Sequence, residues 1–126
     1  MSGRVLIVDD EPNIVLSLEF LLSRAGCEVT TAADGEAALD AIAAAPPDVV
    51  LLDVNMPKLD GFQVCERIRA NPAWHAVRIL ILTARGRDIE REKGLALGAD
   101  GYVTKPFATR EVVTKVRELL AAGGAD

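Results

Sequence analysis

The stretch Val49-Val50-Leu51-Leu52-Asp53 joins a buried-looking apolar run to a single carboxylate. An apolar run without polar alternation fits a strand covered on both faces, as in a parallel sheet. The same construction recurs on either side. Val5-Leu6-Ile7-Val8 runs into Asp9-Asp10, Ile79-Leu80-Ile81-Leu82 into Thr83, and Gly101-Tyr102-Val103-Thr104 into Lys105-Pro106. In an open α/β sheet, parallel strands present their carboxyl ends on one edge, and ligands bind in the crevice there. Asp9, Asp10, Asp53, Thr83 and Lys105 are therefore expected to converge. Carboxylates packed within a few ångströms do not ionise together unless a cation intervenes, so this pocket asks for a hard divalent ion with oxygen ligands. Mg2+ fits best, with Mn2+ as its substitute.

The chain has 126 residues, half of them apolar, and its pattern is unbroken, so one domain with an ordinary core is expected. A formal net charge of −5 argues against direct binding to nucleic acid or an anionic membrane, because phosphate contacts need clustered basic charge. No apolar stretch reaches the roughly 20 residues that span a bilayer, and the N-terminus enters strand-like sequence without a signal-peptide pattern. The expectation is a soluble, cytoplasmic protein. Cys27 and Cys65 lie far apart without metal-ligand spacing and read as small core hydrophobes rather than a disulfide.

Between the apolar runs lie segments of helical period, the alternation of a sheet covered by helices. Pro12 opens a first helix with Ile14, Val15, Leu18, Leu21, Leu22 and Ala25 at helical spacing, stopped at Gly26. Residues 28–31 read as a second strand. Asp34 caps an Ala-rich helix that Pro46-Pro47 end, and Asp60 caps a third helix carrying Val64, Cys65 and Ile68. The fourth helix, about 88–97, is crowded with charge and contains Gly94, which costs about 1 kcal/mol relative to Ala. It is expected to bury little, as a solvated face or as the part that moves. Val112, Val113, Val116, Leu119 and Leu120 give the last helix an apolar stripe. Residues 1–121 are read as the domain and 122–126 as a flexible tail or the start of a linker.

Taken in order, Val8-Asp9-Asp10-Glu11, Asp53-Val54-Asn55-Met56-Pro57 with Asp60-Gly61, Leu82-Thr83-Ala84, and Gly98-Ala99-Asp100-Gly101-Tyr102-Val103-Thr104-Lys105-Pro106-Phe107 resemble the receiver domain of two-component response regulators over essentially the whole chain. That resemblance implies a flavodoxin-like (βα)5 three-layer sandwich with a parallel sheet of order 2-1-3-4-5. It makes the chain a phosphorylation-activated switch rather than an enzyme on foreign substrates. Asp53 would accept a phosphoryl group from a histidine kinase or phosphotransfer protein. Asp10 and Asp53 would hold Mg2+ directly, Asp9 directly or through water, and the backbone carbonyl of Asn55 would add a ligand. Lys105 and Thr83 would meet phosphoryl oxygens. Ala84 would keep the approach open, Pro106 would follow a cis bond that aims Lys105, and Asn55 and Arg85 would flank the phosphoryl group.

Taken alone, Asp9-Asp10 reads equally as an acidic pair favoured by a helix start, Asn55 as a turn residue, Arg85 as a solvated charge and Tyr102 as a half-buried sheet residue. Trp74 is expected to pack and His75 to face solvent. A Mg2+-dependent phosphohydrolase with an Asp nucleophile is the main alternative, though the chain lacks an obvious insert to shape a substrate pocket. Flavin binding would want a Ser/Thr/Gly-rich loop after the first strand, where Asp9-Asp10 would repel phosphate. A non-phosphorylated interaction module is disfavoured because every reactive position is filled.

The resemblance further implies that Thr83 and Tyr102 couple the site to a face formed by the fourth helix, fifth strand and fifth helix, which would control an output domain or protein. The stretches 82–86 and 105–107 are most similar to receivers attached to winged-helix DNA-binding domains. On that face Arg91, Glu111, Asp100 and Lys115 are candidate charges and Leu95 an apolar contact. Glu92 and Gly101 depart from the pattern of self-pairing faces, so the expectation is a monomer, or a weak homodimer that depends on phosphorylation.

Overall fold

The computed structural model describes residues 2–56, 59–84 and 88–122. Pro57, Arg85 and residues 123–126 of the expected tail lie outside them. Strands β1 (Gly3–Val8), β2 (Cys27–Ala32), β3 (Val49–Asp53), β4 (Arg78–Ala84) and β5 (Gly101–Lys105) alternate with helices α1 (Pro12–Arg24), α2 (Gly35–Ala44), α3 (Gly61–Ala70), α4 (Asp88–Ala96) and α5 (Thr109–Ala122). A short 3-10 turn, Pro72–Trp74, precedes β4. All pairings are parallel, and the five-stranded sheet has the order β2-β1-β3-β4-β5. This is the flavodoxin-like sandwich expected from the sequence. Its strand order reverses between β1 and β3, which puts the switch-point crevice beside the ends of those strands.

The uninterrupted apolar runs are needed because both faces of the central strands are covered. Val5, Ile7, Val49, Leu51, Leu80, Leu82 and Val103 point into a core closed by Leu18 and Leu22 of α1 and Val112, Val116 and Leu120 of α5. Their neighbours Leu6, Val8, Val50, Leu52, Ile79 and Ile81 point the other way, against Ala38 and Ile42 of α2 and Val64, Cys65 and Ile68 of α3. The alternation follows from the two-residue period of a strand. Burial of such side chains stabilises by about 1.5–3 kcal/mol each, which makes these two layers the main source of stability.

Helix starts follow local chemistry. The Asp34 carboxylate caps α2 by accepting the Ala37 N–H at 2.8 Å. Asp60 accepts the Gln63 N–H at 2.9 Å while Gln63 reaches back to the Asp60 N–H, completing a capping box. Helix α1 starts with Pro12, as expected, but Glu11 in its cap position makes no capping hydrogen bond with its side chain. Helix α5 runs through Ala122, one residue into the stretch read as a tail.

Helix α4 buries only Gly94 among its residues, while Ile89 and Leu95 are exposed. Gly94 is there for close approach: a Cβ would lie 2.0 Å from Ile81 Cδ1 on β4. The end of α4 is anchored. Arg69 of α3 donates to the carbonyls of Gly98 and Val77 and to Asp100 Oδ2, each at 2.8 Å. Asp100 Oδ2 also accepts the Ile79 N–H at 2.8 Å, and Arg78 lies 3.6 Å from Oδ1. Asp100, on the surface as expected, is already paired within the chain by Arg69 and Arg78. Cys27 and Cys65 are buried free thiols whose pKa values burial pushes up, Cys65 to about 11. Trp74 packs against the core edge, and His75 is exposed with Nδ1 3.1 Å from the Pro72 carbonyl.

Candidate functional site

The ends of β1, β3 and β4, with Lys105 at the end of β5, meet at one edge of the sheet. Asp9, Asp10 and Asp53 each place a carboxylate oxygen there, all within 4.8 Å of one another. Asp9 and Asp53 are buried, whereas Asp10 is exposed at the rim. Each buried carboxylate is aimed by its own backbone two residues on: Asp9 Oδ1 accepts the Glu11 N–H at 2.9 Å, and Asp53 Oδ1 accepts the Asn55 N–H at 3.0 Å. Their other oxygens turn toward Lys105, whose Nζ lies 3.1 Å from Asp9 Oδ2 and 3.4 Å from Asp53 Oδ2. Gly61 backs the site. A Cβ at Gly61 would meet the Asp53 carbonyl at 2.5 Å and the Val54 Cα at 2.7 Å, so the start of α3 can pack on the end of β3 only without a side chain.

Burial is the main influence on Asp53 and pushes its pKa to about 6; the Asp9 charge adds to the rise, while the Asn55 N–H and Lys105 oppose it. Burial also disfavours a charged Lys105, but the carboxylates of Glu11, Asp53 and Asp9 outweigh it and hold the ammonium charged. Among the described residues, Asp9 Oδ2 is buried without a hydrogen-bond partner and is met by the charge of Lys105. Closely spaced oxygen donors, one of them unsatisfied and one hard to ionise, suit a hard divalent cation. The residues present thus fit Mg2+.

Thr83, at the end of β4, is fully buried, and its Oγ1 has no hydrogen-bond partner among the described residues. On β5, Thr104 pairs with Thr83 and Lys105 with Ala84. Tyr102 pairs with Ile81 and is half-buried under Arg91 of α4, whose guanidinium carbon lies 4.9 Å from the ring centroid and whose Nη1 lies 3.4 Å from the hydroxyl. Arg91 also pairs with Asp88. The Lys105-Pro106 bond is cis, as the resemblance implied. Arg85, the other expected flanking residue, lies outside the described residues.

Sequence reasoning assigned no role to Glu11, yet its Oε1 is 2.9 Å from Lys105 Nζ, closer than either aspartate. The available signal was weak. An acid beside two others at a helix start reads as an ordinary dipole partner. Glu11, Ala84, Lys105, Pro106 and Phe107 line a cavity of about 500 Å³ beside the site.

A family model described as the response regulator receiver domain matches residues 5–117. The chain is 45% identical over 120 residues to the alkaline phosphatase synthesis transcriptional regulatory protein PhoP of Bacillus subtilis (strain 168), covering 95% of this chain and 49% of that protein. It is 43% identical over 122 residues to the sensory transduction protein RegX3 of Mycobacterium tuberculosis (strain ATCC 25618 / H37Rv), covering 97% of this chain and 52% of the relative. The chain thus spans about half the length of these curated relatives. Among solved structures it is similar to the chemotaxis response regulator CheY4 of Vibrio cholerae, with a TM-score of 0.89, 35% identity, and coverage of 95% of this chain and 100% of that one.

Proposed function

The chain belongs to the response regulator receiver domain family, phosphorylation-dependent signalling switches of two-component systems, and on that premise we propose that Asp53 is its phosphoacceptor. The observation that carries this is the position of Asp53: a buried carboxylate at the switch point, aimed by the Asn55 N–H and faced by Lys105. Asp53 attacks the phosphorus of a phosphohistidine on a kinase or phosphotransfer protein, and the histidine nitrogen leaves as the new P–O bond forms. A carboxylate is a weak nucleophile, so the residues around it work by positioning and by offsetting charge.

Asp10, Asp53 and the carbonyl of Asn55 would hold Mg2+, with Asp9 direct or through water; the ion would supply charge neutralisation at the transferred oxygens. Lys105 takes a second phosphoryl oxygen as a compact point charge. Thr83 has a buried hydroxyl that a third oxygen would satisfy, which gives it a reason to move inward. Ala84 leaves the approach open. Movement of Thr83 opens space for Tyr102, and the surface of α4, β5 and α5 changes in consequence. PhoP is named as a transcriptional regulator, and we extend that role here to an output segment controlled by this face. The protein is a monomer at rest and at most a weak homodimer when phosphorylated. The phosphohydrolase reading finds no support in the family match.

Incubation with Mg2+ and acetyl phosphate, followed by intact-mass spectrometry, tests the reading. One labile phosphoryl adduct is expected in wild type and none in Asp53→Asn. Steady turnover of varied phosphate esters without an adduct would instead favour a hydrolase.

A further inference from the structure

Resting on the assignment of Asp53 as acceptor, we propose that Glu11 is a positioning residue: its carboxylate occupies Lys105 in the resting site and is exchanged for a phosphoryl oxygen when Asp53 is modified. An ammonium has three N–H donors. Those of Lys105 face three carboxylates, and the shortest contact, 2.9 Å, goes to Glu11; the contact to Asp53, the residue Lys105 must serve, is 3.4 Å. A phosphoryl oxygen arriving on Asp53 competes for this ammonium with the carboxylates already around it, and the least firmly held of them yields.

Exposure decides which one. The Asp9 side chain is 0% exposed and Asp53 only 5%, whereas Glu11 is 56% exposed. A buried carboxylate stripped of its partner stays desolvated, but a half-exposed one exchanges the ammonium for water at little cost. Glu11 also lines the neighbouring cavity of about 500 Å³, which leaves room for its side chain to turn away. Its backbone need not follow, because the Glu11 N–H remains on Asp9 Oδ1 at 2.9 Å. Nor does the helix start suffer, since the side chain makes no capping hydrogen bond. The contact spans 94 residues of sequence.

Glu11 therefore competes with the phosphoryl group for Lys105 and sets how readily Asp53 is modified. Without it, Lys105 stays in place through Asp9 and Asp53, and only the competitor is lost. Phosphorylation rates should be compared across acetyl phosphate concentrations at saturating Mg2+. An exposed ion pair of ordinary strength corresponds to a rate at saturating donor about two- to fivefold higher in Glu11→Gln, with a smaller change in the donor concentration at half-maximal rate. Glu11→Asp keeps the charge but is one methylene shorter, and it should behave like Glu11→Gln. An unchanged or lower saturating rate in Glu11→Gln, or wild-type behaviour in Glu11→Asp, overturns the proposal.

A second readout needs no phosphoryl donor and no metal. In the resting protein, the Lys105 Nζ resonance should show protection from exchange that Glu11→Gln loses while the backbone spectrum stays native. Equal protection in both proteins overturns the proposal. Asp53→Asn run alongside separates the two claims: a phosphoryl adduct on that variant removes the acceptor assignment, while the Lys105 resonance reports on Glu11 regardless.

Discussion

The guanidinium of Arg91 lies over the ring of Tyr102, its carbon 4.9 Å from the centroid and Nη1 3.4 Å from the hydroxyl, so a residue on α4 holds the half-buried aromatic side chain of β5 where it is. A cation over an aromatic face is worth about 0.5–1 kcal/mol at an exposed site. Arg91→Ala should therefore make activation easier. Beryllofluoride, a phosphoryl mimic, should reach half-effect at a concentration about two- to fivefold lower than in wild type. The ring resonances of Tyr102, the sole tyrosine of the chain, report that titration directly.

Thr83 gives a prediction of opposite signs. Its buried Oγ1 lacks a partner among the described residues, and an unsatisfied buried polar group costs about 1–3 kcal/mol. Thr83→Val, close in shape, should leave unphosphorylated stability unchanged or raise it by about 1 kcal/mol in urea unfolding. The same variant should be phosphorylated yet fail to move the Tyr102 resonances. A clear loss of stability would show that the hydroxyl is satisfied in the resting protein.

The pH dependence of Asp53 has a definite sign. Its folded pKa, about 6, is raised above the usual 3.8, so the stability it contributes is full below about pH 4 and is lost as pH rises through 6. In magnesium-free buffer, Asp53→Asn should be more stable than wild type at neutral pH by at most about 3 kcal/mol, and the gap should close below about pH 4. Thermal unfolding across that range checks the sign, and added Mg2+ should narrow the gap at neutral pH.

Gly61→Ala should harm both fold and site. The added Cβ would meet backbone atoms of Asp53 and Val54 at 2.5 and 2.7 Å, and backbone cannot turn aside as a side-chain tip can. The expected loss is about 1–3 kcal/mol in urea unfolding, with slower phosphorylation because the end of β3 shifts.

Much of this was legible in the sequence for a physical reason. Runs such as Val49-Val50-Leu51-Leu52 mark central strands because both faces of a parallel sheet are covered. Asp34 and Asp60 announce helix starts because capping is local. Once four strand ends share one edge, the meeting of Asp9, Asp53, Thr83 and Lys105 follows from topology. What stayed hidden depends on single side chains reaching across elements. Gly94 reads as a helix-propensity cost, and only its packing on Ile81 explains it. Asp100 reads as a surface charge, and only the reach of Arg69 from α3 shows that it also ties α3 to the start of β5. Glu11 and Lys105 are 94 positions apart, with nothing in either's local sequence to pair them.

The most direct test of the central claim is reductive trapping: phosphorylate the protein with Mg2+ and acetyl phosphate, reduce the acyl phosphate with borohydride, and map the peptides by mass spectrometry. Reduction converts an aspartyl phosphate to homoserine. Conversion at position 53 alone is the expected result, with none in Asp53→Asn. Conversion at Asp9, Asp10 or elsewhere with Asp53 intact would contradict it.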